Sequence, residues 1–228
     1  MAARLAIPLA GSLTHYTNLQ RRFGLGHSGV GPAPAEWLAY AGEMERLSSA
    51  EQRLDWTQRF YVTAPEDLPP ADRRFFGCFG CDPPNEAGAV QIHFSNRDSG
   101  GGTGPLNRTK TPRRLAELKT MFGFVREAWS DARSVQGGSW LYNLEAYRRL
   151  FPPAYGDSRR PPPSPVRLGG TSSWGQFLDH REAVKPDLRE AFLRNIETID
   201  VDAPWLSFPL PALRTSASIE LFYDLYGV

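Results

Sequence analysis

The chain has 228 residues, 41% of them apolar, 12% aromatic and 22% charged, the balance of a folded globular protein and not of a disordered one. A formal net charge of +1 supplies no overall field to draw it to nucleic acid or to an anionic membrane. No apolar run approaches the roughly 20 residues that cross a bilayer, and the opening MAARLAIPLAGSLTHY is too short and interrupted for a secretion signal, so a cytoplasmic protein with no membrane and no nucleic-acid partner is expected.

Residues 23–35 are rich in Gly and Pro and read as loop. Trp37, Tyr40, Met44 and Leu47 then recur at helical spacing, which predicts a helix from about Ala35 to Leu47. Ser48 and Glu51 stand in capping-box register ahead of a second helix running toward Tyr61, so the two form a helical hairpin. After a proline- and acid-rich connection from Pro65 to Asp72, RRFFGCFGCDPPNEAGAVQIHF reads as two strands separated by a turn around DPPNEAG. Leu115, Leu118, Phe122, Val125 and Trp129 mark the clearest helix of the chain, with Arg113, Arg114, Glu117, Arg126 and Glu127 on its other face. RSVQGGSWLY is a strand candidate and NLEAYRRLF a short helix. Residues 152–170 hold too much proline for regular structure and read as a long loop. Lys185-Pro186-Asp187 opens a helix bearing Leu188, Phe192, Ile196 and Ile199, and ALRTSASIELFYDLYGV closes the chain as a strand and a helical turn.

The expected architecture is therefore α/β or α+β, a mixed central sheet flanked by helices with an N-terminal helical hairpin. One globular domain spans 1–228, with a helical part over about 1–66 and a sheet-containing core over about 67–228.

Chemistry concentrates in NRDSGGGTG, which follows the strand AVQIHF and precedes the long helix. Glycines at a strand-to-helix junction let backbone N–H groups approach a phosphate. The same glycines also serve as a plain turn needing positive φ, and both readings stand. Alternation along AVQIHF puts Val90, Ile92 and Phe94 on one face and Gln91, His93 and Ser95 on the other. His93 thus lies near the loop, with an imidazole suited to general base work. Tyr142, Tyr147 and Tyr155 are candidate proton donors or packing residues.

The pattern Arg97-x-x-Gly100-x-Gly102 resembles the signature with which GNAT-type N-acyltransferases hold the pyrophosphate of acyl-CoA: Arg or Gln, two residues, Gly, one residue, then Gly or Ala. Its place after a strand is similar to the family's junction of fourth strand and third helix. SWLYNLEAYRRLF extends the likeness, since the family follows its fifth strand with a helix that often begins near Asn and contains Tyr. The resemblance covers about residues 76–180. GPLNRTKTP stands between the glycines and the helical pattern, and the interval from Asn143 to Tyr147 is shorter than in the family.

That resemblance implies acyl-CoA as co-substrate, no metal, and an amine of a small molecule or protein as acceptor. Arg97, Gly100, Gly101 and Gly102 would hold pyrophosphate, His93 or a water it polarises would deprotonate the amine, and Tyr147 would protonate the leaving thiolate. Two alternatives accompany it: a non-enzymatic ligand-binding or scaffold protein on the same fold, and a thiol or metal enzyme centred on Cys78 and Cys81. The CxxC has no second cysteine pair or paired histidines beside it, so two buried structural cysteines are expected.

Overall fold

The computed structural model describes residues 35–63, 73–98, 100–162, 171–200 and 203–228; the expected loop over 23–34, the connection Pro65–Asp72 and the proline run from 163 to 170 lie outside them. Contacts divide the chain into two compact units, Met1–Pro69 with Val166–Gly170, and Pro70–Pro165 with Thr171–Val228. The sequence reading treats both as one domain with its parts meeting near residue 66.

In the first unit α1 (Ala35–Arg46) and α2 (Ala50–Thr63) form the expected hairpin. Trp37, Tyr40 and Met44 are buried, Tyr40 stacks on Phe60 with ring centroids 4.3 Å apart, and its hydroxyl meets Thr57 Oγ1 at 2.9 Å. The capping box lies one residue later than the sequence suggests. Ser49 Oγ accepts from Gln52 N while Gln52 Oε1 accepts from Ser49 N, which satisfies two donors at the start of α2.

The second unit is built on a five-stranded mixed sheet in the order β1-β2-β3-β4-β5, comprising β1 (Arg74–Phe76), β2 (Phe79–Cys81), β3 (Ala89–Phe94), β4 (Ser134–Ser139) and β5 (Leu213–Ser218). The mixed sheet with flanking helices is the expected α/β class. β3 and β4 are parallel, joined through α3 (Thr111–Ala128), while the other neighbours are antiparallel. FFGCFGC, expected as one strand, is itself a hairpin: Phe76 faces Phe79 across the turn Gly77–Cys78. Gly77 adopts φ 62, and a Cβ on it would overlap the Glu117 carboxylate, so the turn needs glycine on both counts.

One face of the sheet is apolar. Val90 and Ile92 of β3 and Val135 of β4 join one core with Leu118, Met121, Phe122 and Val125 of α3 and with Phe222 and Tyr226 of α8 (Glu220–Tyr226). Helix α3 departs from its predicted face in one respect, because Arg114 is fully buried while Leu115 is 36% exposed. After β4 the chain forms a 3-10 turn, Trp140–Asn143, and α4 (Glu145–Arg148). Residues 152–157, expected without regular structure, include the short helix α5 (Pro153–Asp157), where proline occupies the first turn and costs no hydrogen bond. From this stretch Phe151 packs edge-to-face on Phe79 and Tyr147 on Phe94, and Tyr142 and Tyr155 extend the aromatic layer beyond them. In the segment after α6 (Thr171–Trp174), α7 (Pro186–Ile196) begins at the expected proline but ends before Ile199. Its Phe192 joins Trp174, Phe177 and Phe208 in a separate aromatic cluster.

The Tyr142 and Tyr155 hydroxyls, 2.7 Å apart and buried, occupy the space where a side chain at Gly137 would begin. Both rings are buried, so Gly137→Ala is expected to destabilise the protein by about 1–3 kcal/mol through overpacking. Gly138→Ala, which meets nothing within 4 Å, is expected to stay within about 0.5 kcal/mol of wild type. Urea unfolding midpoints at equal slope measure both.

Candidate functional site

The ladder between β3 and β4 is short. It pairs Ala89 with Ser134, Val90 with Val135 and Gln91 with Gln136, and ends there. Beyond it Ile92, His93 and Phe94 keep only their partners on β2, and Gly137, Gly138 and Ser139 only theirs on β5. Asp82 N donates to Gln91 O at 3.0 Å, so by strand alternation the backbone groups of Ile92 and Phe94 face the side where β4 has parted. The Ile92 carbonyl there accepts from the Gln91 side chain at 3.3 Å.

The glycine loop begins at the carboxyl end of this parting half. Gly100–Gly102 form a 3-10 turn with Gly101 at φ 74, and Gly102 has φ 72. A second 3-10 turn, Arg108–Lys110, separates the glycines from the start of α3 at Thr111. Asn107 Oδ1 caps that turn by accepting from Thr109 N at 3.0 Å. Lys110 Nζ donates to Asp98 O at 2.8 Å and to Thr103 O at 3.0 Å, which ties the two ends of the loop together.

Under the loop lies a buried ionic network. Arg114 Nη2 donates to Asp98 Oδ2 and to Glu117 Oε1, both at 2.8 Å, and Nη1 contacts Cys78 Sγ. Glu117 Oε2 accepts from Cys78 N at 3.1 Å. Burial pushes the Asp98 carboxyl up, but the Lys110 hydrogen bond and the charges of Arg113, Lys110 and Arg114 outweigh it and hold Asp98 below the usual carboxylate range. Arg97 is exposed, with its guanidinium 3.8 Å from the centre of the Phe75 ring.

His93 Nε2 meets Asp82 Oδ2 at 2.6 Å, and Arg73 Nε and Nη2 donate to the same carboxylate at 2.6 and 3.1 Å. Burial raises Asp82, yet the hydrogen bonds from His93 and Arg73 prevail and lower it to about 2. The imidazole is thus oriented by an ionised carboxylate and remains partly exposed.

Tyr147 has a different setting. It is 2% exposed, packs on Phe94 with ring centroids 5.4 Å apart, and its phenol is pushed far up by burial. Since Phe94 and His93 alternate along β3, Tyr147 and His93 lie on opposite faces of that strand. The structure does not bring them together. Nearest to the parting half of β4 are the Tyr142 and Tyr155 hydroxyls, at Gly137.

Cys78 and Cys81 are free and buried. Burial pushes the Cys78 thiol up against the Arg97 backbone N–H and the Arg114 charge, and pushes Cys81 up to about 12. Among the described residues no group of three or more His, Cys, Asp or Glu side chains is arranged to hold a metal ion, and no helix is long and apolar enough to cross a membrane.

Two residues at the loop escape the sequence reading. His180 Nε2 lies 3.0 Å from Gly102 O, and Arg181 Nη2 lies 3.6 Å from where a Gly102 Cβ would stand. They are some 80 residues away along the chain and carry no periodic signal. The chain matches no protein-family model, no curated protein and no solved structure.

Removing the guanidinium would strip Asp98 and Glu117 of their buried partner, leaving Lys110 and the exposed Arg113, so Arg114→Ala is expected to cost about 3 kcal/mol of stability, read from denaturant midpoints. A loss under about 1 kcal/mol would show that the network carries little. Asp82 gives an acid signature. Its contribution, at most about 2 kcal/mol, is fully present above its ordinary value of 3.8 and is lost as pH falls toward about 2. Asp82→Asn is therefore expected to flatten the acid limb of stability against pH, leaving the part due to Asp98 and Asp179, which are also held below the usual carboxylate range.

Proposed function

We propose that this protein is an acyl-CoA-dependent acyltransferase that passes an acyl group to an amine of a small molecule or protein. The observation that carries the reading is the ending of the β3–β4 ladder beside the glycine loop. A pantetheine arm holds two amides, and an extended amide chain docks well where a strand offers unpaired N–H and C=O groups. Ile92, whose carbonyl a ligand would have to share with or take from the Gln91 side chain, and Phe94 face that opening, and the loop that follows them stands where the diphosphate at the far end of the arm would lie.

Arg97 and the backbone of Gly100, Gly101 and Gly102 hold the diphosphate. His93, oriented by Asp82, takes a proton from the acceptor amine as its nitrogen attacks the thioester carbonyl; the C–S bond then breaks and the thiolate takes a proton. The resemblance gave that last role to Tyr147. The position of the Tyr142–Tyr155 hydroxyl pair at Gly137 favours Tyr142 as the donor. Placement of amine against thioester supplies the rest of the acceleration.

The non-enzymatic alternative, a ligand-binding protein on the same fold, draws on the opposite-face placement of His93 and Tyr147. Binding and turnover separate the two. CoA and acetyl-CoA are expected to raise the melting temperature, with about 2.7 kcal/mol of added stability at 100 times Kd. Arg97→Ala is expected to weaken CoA binding about tenfold without lowering the melting temperature of the free protein. No stabilisation at millimolar ligand removes the acyltransferase reading, while binding without amine-dependent thiol release favours the alternative.

A further inference from the structure

Before α7 the chain makes a reverse turn whose tip is His180-Arg181. Leu178 and Val184 bridge its two sides, Asp179 N donates to Ala183 O at 2.8 Å, and Lys185 N donates to Phe177 O at 2.7 Å. Asp179 Oδ1 accepts from Arg181 N and Ala183 N at 2.7 and 3.0 Å. At its base Phe177 is packed among Trp174, Phe192 and Phe208. The tip is held, and it is held against the glycine loop: His180 Nε2 meets Gly102 O, and the His180 Cβ would be 3.4 Å from a Cβ at Gly104.

Arg181 is exposed, and among the described residues no carboxylate makes an ion pair with it, whereas Arg113 and Arg114 are both paired with Asp98. Its neighbour Asp179 is occupied by the two backbone N–H groups of the turn. Around the loop and the turn Arg97, Lys110, Arg113, Arg114 and Arg181 outnumber Asp98, Glu117, Asp179 and Glu182 by one, in a chain of net charge +1. At Gly101 a side chain would meet nothing within 4 Å, so the approach to the loop backbone is open.

We propose that the turn bearing His180 and Arg181 and the loop Gly100–Gly104 form a single anion site, in which Arg181 pairs with a phosphate oxygen of a diphosphate lying over Gly101 and Gly102. The guanidinium fork matches two phosphate oxygens, and the glycines let the anion approach the main chain. His180 acts as a positioning residue: its bond to Gly102 O keeps the loop facing the turn. Identifying the diphosphate as that of CoA rests on the acyltransferase reading; the anion site itself does not.

Calorimetric titration with inorganic pyrophosphate at low ionic strength tests the site, because exposed charge pairs weaken with salt. Wild type is expected to bind, Arg181→Ala to bind at least tenfold more weakly with an unchanged melting temperature, and Arg181→Lys to fall between. Absence of pyrophosphate binding by wild type, or equal affinity in Arg181→Ala, overturns the proposal. A second arm compares CoA with pantetheine, which lacks phosphate: Arg181→Ala is expected to weaken the first and leave the second unchanged. Pyrophosphate binding through Arg181 without CoA binding would remove the acyltransferase reading and keep the anion site. CoA binding indifferent to Arg181→Ala would keep that reading and show that the CoA diphosphate does not lie in this site, while the pyrophosphate arm alone decides whether the site exists.

Discussion

The Arg114 guanidinium is the point on which the second unit's geometry turns. It is almost wholly buried, cannot shed its charge, and divides its donors among Asp98, Glu117 and Cys78. Those three residues belong to the entrance of the glycine loop, to α3 itself and to the tip of the β1–β2 hairpin. A single side chain therefore fixes the hairpin against the helix and the loop against both. Burying such a charge costs desolvation free energy that only several well-aligned partners offset, so the network tolerates few alternative arrangements.

Lys110 extends this restraint. By donating to the carbonyls of Asp98 and Thr103 it closes the loop at both ends, and a Cβ at Gly101 between them would meet nothing within 4 Å. Loops that bind anions commonly combine a fixed frame with a few unhindered residues, since a preorganised frame reduces the ordering cost of binding. The His180–Arg181 turn is fixed in the same manner, through Asp179 and an aromatic base.

A second constraint comes from Gly137. With the Tyr142 and Tyr155 hydroxyls seated where its side chain would be, the aromatic layer presses directly on the half of β4 that has left β3. Packing on one face and the end of the ladder are found at the same residues. The other face of β3 stays polar, with His93 on Asp82 and Arg73, so a group entering between the strands meets hydroxyls on one side and an oriented imidazole on the other.

Local pattern was enough to place α1, α2, α3 and α7, the strand AVQIHF and the closing strand and helix, because periodicity, capping residues and proline position act within a few residues. It also found the glycine loop and His93, which adjoin one strand. What periodicity misassigned was Arg114: a charged residue beside an apolar stripe reads as solvent-facing, and only carboxylates brought from Asp98 and across the helix turn at Glu117 make its burial favourable. The hairpin within FFGCFGC was hidden because both its strands are three residues long. Tyr147 carried no mark of the face it would occupy, and His180 and Arg181 none of the loop they would meet. Sequence determined the elements, whose causes are local; the tertiary structure decided which charges are buried, where β3 and β4 part and which distant residues face the glycines, because those depend on contacts that exist only once the chain has closed on itself.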